Sequence, residues 1–464
     1  MYFSTLEIEN VKSFGQKQVL DLKNSDGTIS PWTLILGDNG VGKTTLLKCL
    51  AWMIPVEAPP LLKKDIAGSK QSLGKDQNKI SIKPYMDDLD ESNFEQLIRI
   101  GDNVKTKISV NVSNGVKLRE KPEIDSTVLV AMDFEKVNGK LEVVTPQLGE
   151  LITFNSPNIF AYNANRHLAY KNIDNPSLKD PISNLFSDSG DLYDAEQLLS
   201  MLDTASIRQG GKGKATDLLL KIKEILVDLL PDIKDVNSIV INSPINDDGS
   251  INDDLVEVET GDGKVKLFNL SLGYVTMLTW IVDLAVRMLW RFPDSEEPLK
   301  EPAIVIVDEI DLHLHPIWQR MIMQTLTFHF SETQFICTAH SPIMAQASEF
   351  QNLSVVKRLE NDNVIIENEP HIVKGWRIGQ LLTSELFDFD SDRSPEFDKK
   401  IDERRKLLKK TKLTSQEEVK LEGLNNEINS LPIGDTIVEA DAMQILRDFA
   451  KNLDVLKAKG DDKN

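Results

Sequence analysis

Residues Gly37-Asp-Asn-Gly-Val-Gly-Lys43-Thr44 complete the pattern G-x-x-x-x-G-K-[ST] without a mismatch. Few short strings constrain a fold as tightly. The glycines let backbone N–H groups curl around phosphate oxygens, the lysine reaches the β/γ-phosphates, and the threonine hydroxyl can hold Mg²⁺. The flanks suit this reading. Trp32-Thr33-Leu34-Ile35-Leu36 is a buried strand entering the loop, and Thr45 to Met53 is a helix whose N-terminus faces the phosphate charge. Asn39, Gly40, Gly42, Lys43, Thr44 and Thr45 are therefore the candidate phosphate-binding residues. The implied fold class is α/β, with a parallel or mixed P-loop sheet flanked by helices.

At 464 residues, with 41% apolar and 27% charged side chains, the chain can build a sizeable core and two or three structural units. The N-terminus lacks the basic region of a signal peptide. The longest apolar run, Tyr274 to Phe292, carries Asp283, Arg287 and Arg291, which predicts a buried helix and no membrane span. Cys49 and Cys337 sit in apolar segments, as small core residues of a reducing cytoplasm do. A formal net charge of −20 argues against a large constitutive nucleic-acid surface, though a partner or an assembly can supply positive charge.

Five segments follow from the pattern. Residues 1–56 carry the first part of the nucleotide core, including the loop. Residues 57–180 read as a β-rich lobe with loops, its antiparallel strands near Lys107 to Val112, Thr127 to Phe134 and Leu141 to Val144. Residues 181–254 are a helical insertion, broken at Gln209 to Ala215 by a glycine-rich hairpin tip that lacks the spacing of a second phosphate loop. Residues 255–370 return to the core through a hairpin turning on Gly261-Asp-Gly263. Residues 371–464 are helical, charged and suited to oligomer or partner contacts, with an antiparallel pair over Pro395 to Leu431, a further helix over Asp435 to Leu456 and a disordered tail from Lys457. No repeat of 20–50 residues is present.

Ile304-Val-Ile-Val-Asp308-Glu309 is an apolar strand ending in two carboxylates. Asp308 is placed to complete a Mg²⁺ shell with Thr44, and Glu309 to act on the attacking water as base or orienter. Two histidines follow, His313 and His315. With no cysteine or third histidine nearby, they predict a turn closed by Pro316 at the start of the next helix. His340 sits just past another apolar strand, Phe335-Ile-Cys-Thr-Ala, where it can sense a γ-phosphate. Asn269-Leu-Ser271-Leu-Gly273-Tyr274 opens the long helix, so Ser271 and the first N–H groups form an anion site or simply a helix cap.

In this order the motifs resemble the ATP-binding-cassette superfamily, in its SMC-like and OLD-like branch. The parts are Walker A at 37–44, the signature at 270–274, Walker B at 304–309, a D-loop around Asp311 and a switch His340. The resemblance implies an ABC-type head with an antiparallel β lobe. It also implies that two subunits sandwich ATP, with Ser271 and Gly273 of one capping the P-loop of the other. Leu272 replaces a glycine of the transporter signature. Asn163-Ala-Asn-Arg166-His is the expected Q-loop neighbourhood, with Arg166 as a phosphate or subunit-contact residue.

Asp308 to Pro316, Asn163 to His167 and Trp376-Arg-Ile-Gly-Gln-Leu-Leu-Thr-Ser-Glu-Leu-Phe387 narrow the resemblance. They are similar to bacterial antiphage-defence ATPases of the PtuA type, from Septu and retron systems, with the AriA type of PARIS as the alternative. That implies a cytoplasmic homo-oligomer, at least a dimer, which uses ATP and Mg²⁺ to control a separate effector, an HNH-type nuclease or a toxin. Any contact with nucleic acid would then run through the partner or the assembly. No Toprim-like acidic cluster follows His340, and Asp388, Asp390 and Asp392 read as solvated acids. Two alternative classes are an SMC-like DNA-repair or tethering head and the nucleotide-binding subunit of a transporter. The first predicts long heptads between Lys43 and Ser271, and the second a membrane partner.

Overall fold

The strand Ala303–Val307 is buried at every position because the sheet around it has a core on each face. Successive side chains point to opposite faces, and the cores sort accordingly. Ala303, Val305 and Val307 enter one cluster, with the long helix Leu272–Arg291 and the helix Pro316–His329. Ile304 and Ile306 enter the other, with the helix Lys43–Trp52. Trp32, Leu34 and Leu36 divide from Ile35 in the same way, as do Phe335 and Cys337 from Ile336.

The computed structural model describes residues 1–57, 80–84, 105–122, 127–137, 140–147, 149–151, 156–166, 182–186, 192–230, 233–246, 248–252, 254–261, 263–270, 272–347, 352–368, 375–387, 389, 391–410 and 412–429. Of the loop expected from Glu57 to Lys79 all but Glu57, which ends the strand Pro55–Glu57, lies outside them, as do the helix over Asp435 to Leu456, the tail from Lys457, Asp388, Asp390 and Ser271. The chain divides into two compact units, Met1–Asp388 and Phe389–Asn464.

In the first unit a six-stranded sheet has the order Ile159–Tyr162, Ala303–Val307, Thr333–Thr338, Trp32–Gly37, Asn352–Arg358, Val364–Asn368. The first five strands are parallel and the last is antiparallel. A five-stranded antiparallel sheet runs Gln18–Asp21, Tyr2–Glu9, Lys105–Ser113, Thr127–Val137, Lys140–Gln147. The fold is thus mixed α/β with an antiparallel lobe, as the motifs imply. One strand is misplaced by the sequence: Ile159–Tyr162 falls in the segment read as the β-rich lobe but pairs in parallel with the Walker B strand. A four-residue apolar run carries no mark of which sheet it joins.

The helices Ala195–Arg208 and Lys214–Leu229 form the insertion, and the glycine-rich break between them is a hairpin tip, with Gly210, Gly211 and Gly213 at positive φ. Val256–Thr260 pairs with Gly263–Lys266 as expected. Among the described residues no helix is long and apolar enough to cross a membrane. Two charges of the long helix, Asp283 and Arg287, are instead paired internally. Asp283 is buried and accepts hydrogen bonds from Tyr162 Oη (2.9 Å), Tyr193 N (3.1 Å) and Arg287 Nε (2.6 Å).

Glu196, at the start of the insertion, is also buried, and its carboxylate accepts from Leu255 N at 3.3 Å. Burial, reinforced by Asp194 and Asp254, pushes its pKa from 4.5 to about 7. A raised acid contributes stability below its unfolded pKa and loses it as pH climbs through the folded one. Glu196 therefore lowers stability between about pH 4.5 and 7, by up to about 3 kcal/mol. Glu196→Gln is expected to flatten that slope in urea-unfolding midpoints measured across the window. A slope unchanged in the variant would sink the assignment.

In the second unit Pro395–Leu408 and Ser415–Asn429 lie antiparallel. Lys400–Glu427 (2.8 Å), Arg404–Asn425 (2.6 Å) and Lys410–Glu417 (2.5 Å) descend in register along the pair. Ser394 caps the first helix by accepting from Phe397 N.

Candidate functional site

The phosphate loop leaves the C-terminal end of Trp32–Gly37 and enters the helix Lys43–Trp52. Its tip, Asp38 to Gly40, is exposed, whereas Lys43 and Thr45 are buried. Two glycines are required by geometry. A Cβ on Gly37 (φ 143°) would stand 2.3 Å from Val356 O, and one on Gly42 (φ 108°) would stand 2.7 Å from Ser13 Oγ. Lys43 Nζ donates to Gly37 O and Asp38 O, both at 2.8 Å, which folds the ammonium back over the loop. Burial lowers its pKa, and the carboxylates of Asp308, Glu309, Asp311 and Asp38 oppose that shift.

Thr44 and Asp308, separated by 264 positions, meet where the two parallel strands end. Thr44 Oγ1 donates to Asp308 Oδ2 at 2.7 Å. The other oxygen, Asp308 Oδ1, accepts from Thr338 Oγ1 at 2.5 Å, and Thr338 Oγ1 in turn accepts from Glu309 N at 2.7 Å. Thr338 is a residue that sequence reading missed. Its signal was faint: Val307 pairs with Cys337, so the next residue on each strand faces the other, but strand adjacency is not written in either segment.

Glu309 adopts φ +48°, the left-handed region that side chains other than glycine rarely occupy. Its Oε1 lies 4.0 Å from His340 Nε2, and both side chains are about one-third exposed. The D-loop carboxylate sets the histidine's backbone. Asp311 Oδ2 accepts from His340 N (2.9 Å) and Ser341 N (2.8 Å), while Ser341 Oγ donates to Gln319 Oε1 at 2.6 Å. Lys43, Thr44, Asp308, Glu309, Asp311 and His340 are thus brought to one edge of the sheet, at the C-terminal ends of parallel strands, where such folds bind ligands.

His315 caps the helix Pro316–His329, its Nδ1 accepting from Ile317 N at 3.3 Å. Among the described residues no group of three or more His, Cys, Asp or Glu is placed to hold a metal ion.

Arg166 corrects an expectation. It is 3% exposed, and its guanidinium donates to Asp308 O (2.7 Å) and Glu309 O (2.8 Å). A phosphate or subunit contact requires an exposed head group, which this residue lacks. Gly273 is buried in its own chain, and a Cβ there would stand 2.1 Å from His313 O. Packing of the long helix against His313 thus gives this glycine a reason within its own chain, beside the capping role expected of it. Gly273→Ala is expected to cost about 1–3 kcal/mol of stability, read as a lower melting temperature at concentrations too dilute for oligomers. An unchanged melting temperature would return the glycine to a purely intersubunit role.

The donor set fits a magnesium nucleotide. A hydroxyl and a carboxylate oxygen 2.7 Å apart are hard ligands, and the Lys43 ammonium is electrostatically coupled to Asp308 and close to the glycine cradle.

The chain is similar to several known proteins. The family described as "AAA domain, putative AbiEii toxin, Type IV TA system" matches residues 33–344. The "Retron Ec83 probable ATPase" of Escherichia coli is 25% identical, over 94% of this chain and 85% of its own. The "Septu protein PtuA" of Bacillus mycoides (strain KBAB4) is also 25% identical, over 94% of this chain but 52% of its own, so the chain spans about half that relative's length. Among solved structures, the "SMC head domain from Thermotoga maritima" aligns with 79% of this chain and 99% of its own, at 14% identity and a TM-score of 0.38.

Proposed function

Because this chain belongs to the AAA-domain ATPase family that matches residues 33–344, we propose that it hydrolyses ATP to ADP and phosphate and uses the nucleotide to control a separate effector in antiphage defence. The observation that carries the ATPase reading is the relay Thr44–Asp308–Thr338–Glu309, which ties the phosphate loop to the general base through three hydrogen bonds. The defence context is supported by the names of the relatives, a retron ATPase and a Septu protein.

Thr44 and Asp308 would hold Mg²⁺, which when bound supplies charge neutralisation of the phosphate oxygens. Lys43 adds a positive charge, and the loop's N–H groups orient the phosphates. Glu309 accepts the proton of the attacking water as its oxygen bonds to the γ-phosphorus and the bond to the leaving ADP breaks. His340, 4.0 Å from Glu309 Oε1, would orient that water or the γ-phosphate.

The rest of the proposal is assembly. Two or more copies would share sites, with Ser271 and Gly273 capping a neighbour's nucleotide, in the cytoplasm and beside a partner nuclease or toxin. Native mass spectrometry with and without a non-hydrolysable ATP analogue, and with the product of the neighbouring gene, tests it. ATP-dependent oligomers that bind a nuclease or toxin are expected. A nucleotide-insensitive monomer, or a membrane permease as the only neighbour, would defeat the assembly and effector reading.

A further inference from the structure

We infer that Arg166 is a positioning residue for ATP turnover: its guanidinium fixes the backbone of Asp308 and Glu309 so that the Glu309 carboxylate stays aimed at the reacting water. The inference rests on the proposed role of Glu309 as base.

The left-handed backbone of Glu309, φ +48°, is a costly conformation that persists only when its surroundings hold it. Both neighbouring strands contribute. From one side Thr338 accepts from Glu309 N at 2.7 Å through its hydroxyl and from Ile310 N at 3.0 Å through its carbonyl. From the other side Arg166 spans two successive carbonyls, Asp308 O at 2.7 Å and Glu309 O at 2.8 Å. A planar fork makes both bonds at once, which a lysine, a point donor on a flexible stem, does not.

Arg166 is itself well anchored. Its turn follows the strand Ile159–Tyr162, whose Tyr162 O accepts from Asp308 N at 2.8 Å and whose Tyr162 Oη donates to Asp283 of the long helix at 2.9 Å. Asn163 N donates to Asn184 Oδ1 at 2.9 Å, and Arg166 N to Ala164 O at 2.9 Å. Burial lowers the guanidinium's pKa to about 10, which leaves it charged at neutral pH. A buried charge is thus committed to two carbonyls, and those carbonyls belong to the two carboxylate residues of the site.

The test compares Arg166→Lys, Arg166→Ala and Glu309→Gln in the full chain. Steady-state ATPase kinetics are read beside calorimetric affinity for a non-hydrolysable ATP analogue. Arg166→Lys is expected to lower kcat about tenfold or more while affinity stays within about threefold. Arg166→Ala should lose more and partly recover with low-millimolar guanidinium ion. A folded Arg166→Lys with wild-type kcat overturns the inference, as does an equal loss of kcat and affinity. A Lys variant that no longer folds overturns it too, since Arg166 would then be a fold determinant. Should Glu309→Gln itself turn over normally, the base assignment fails instead. An inactive Glu309→Gln beside a fully active Arg166→Lys sinks only the positioning role.

Discussion

Lys43→Ala is expected to abolish measurable nucleotide binding, with affinity down at least about a hundredfold and no turnover. The ammonium is buried and bonded to Gly37 O and Asp38 O, which holds it at the loop. Four carboxylates, Asp308, Glu309, Asp311 and Asp38, act on it electrostatically. Removing the cation leaves those anions facing a polyphosphate with no fixed counter-charge, and like charges at close range in a partly dry site repel strongly. The two loop carbonyls also lose their donor, which loosens the cradle. Calorimetry with an ATP analogue checks this directly. A Kd within about threefold of the parent would remove Lys43 from the site.

Glu309→Gln should separate binding from chemistry. Glutamine keeps the length of the side chain and adopts the left-handed backbone no worse than glutamate, so the N–H bond to Thr338 Oγ1 at 2.7 Å can persist. What it lacks is an oxygen able to take a proton. Loss of a general base costs about 10²–10⁴ in rate, and kcat is expected to fall in that range with affinity held or improved. The variant should therefore accumulate the nucleotide-bound form, visible as a longer-lived complex in native mass spectrometry. Hydrolysis at the parent rate would mean that another group takes the proton.

The two outcomes differ in kind, and the difference tests the shared geometry. Lys43 acts at the loop after Trp32–Gly37, whereas Glu309 lies 266 positions later, just past the strand Ala303–Val307, two places away in the sheet. Thr44 and Thr338 tie those ends together through the two oxygens of Asp308.

How much of this site is legible without coordinates depends on how local each signal is. The phosphate loop is a continuous string with its strand and helix attached, and the carboxylate pair follows an apolar run; both read directly. His340 read as a switch only because of its place in the order of motifs. Thr338 and Arg166 were a different matter. Each acts on Asp308 and Glu309 from a neighbouring strand or the turn after it, and nothing in Phe335-Ile-Cys-Thr or in Asn163-Ala-Asn-Arg states that neighbour. Arg166 was misread as a phosphate or subunit contact because an arginine beside a nucleotide site is ordinarily exposed; here it is 3% exposed. Gly273 was read through its resemblance to a signature, and its contact with His313 O supplies a second reason for glycine inside the same chain.

The sequence by itself determined that the chain is α/β, where the phosphate-loop pattern lies between its strand and helix, and which two acids follow the second key strand. Those properties follow from residues adjacent along the chain, where backbone conformation and burial period are set by local chemistry. Only the tertiary structure decided what aims the acids. The order of strands in the sheet, the strained backbone of Glu309 and the grip of Arg166 and Thr338 on it arise from contacts across more than a hundred positions in the one case and about thirty in the other. Such contacts depend on which strands become neighbours when two cores close over opposite faces of the same sheet, and no single segment encodes that choice.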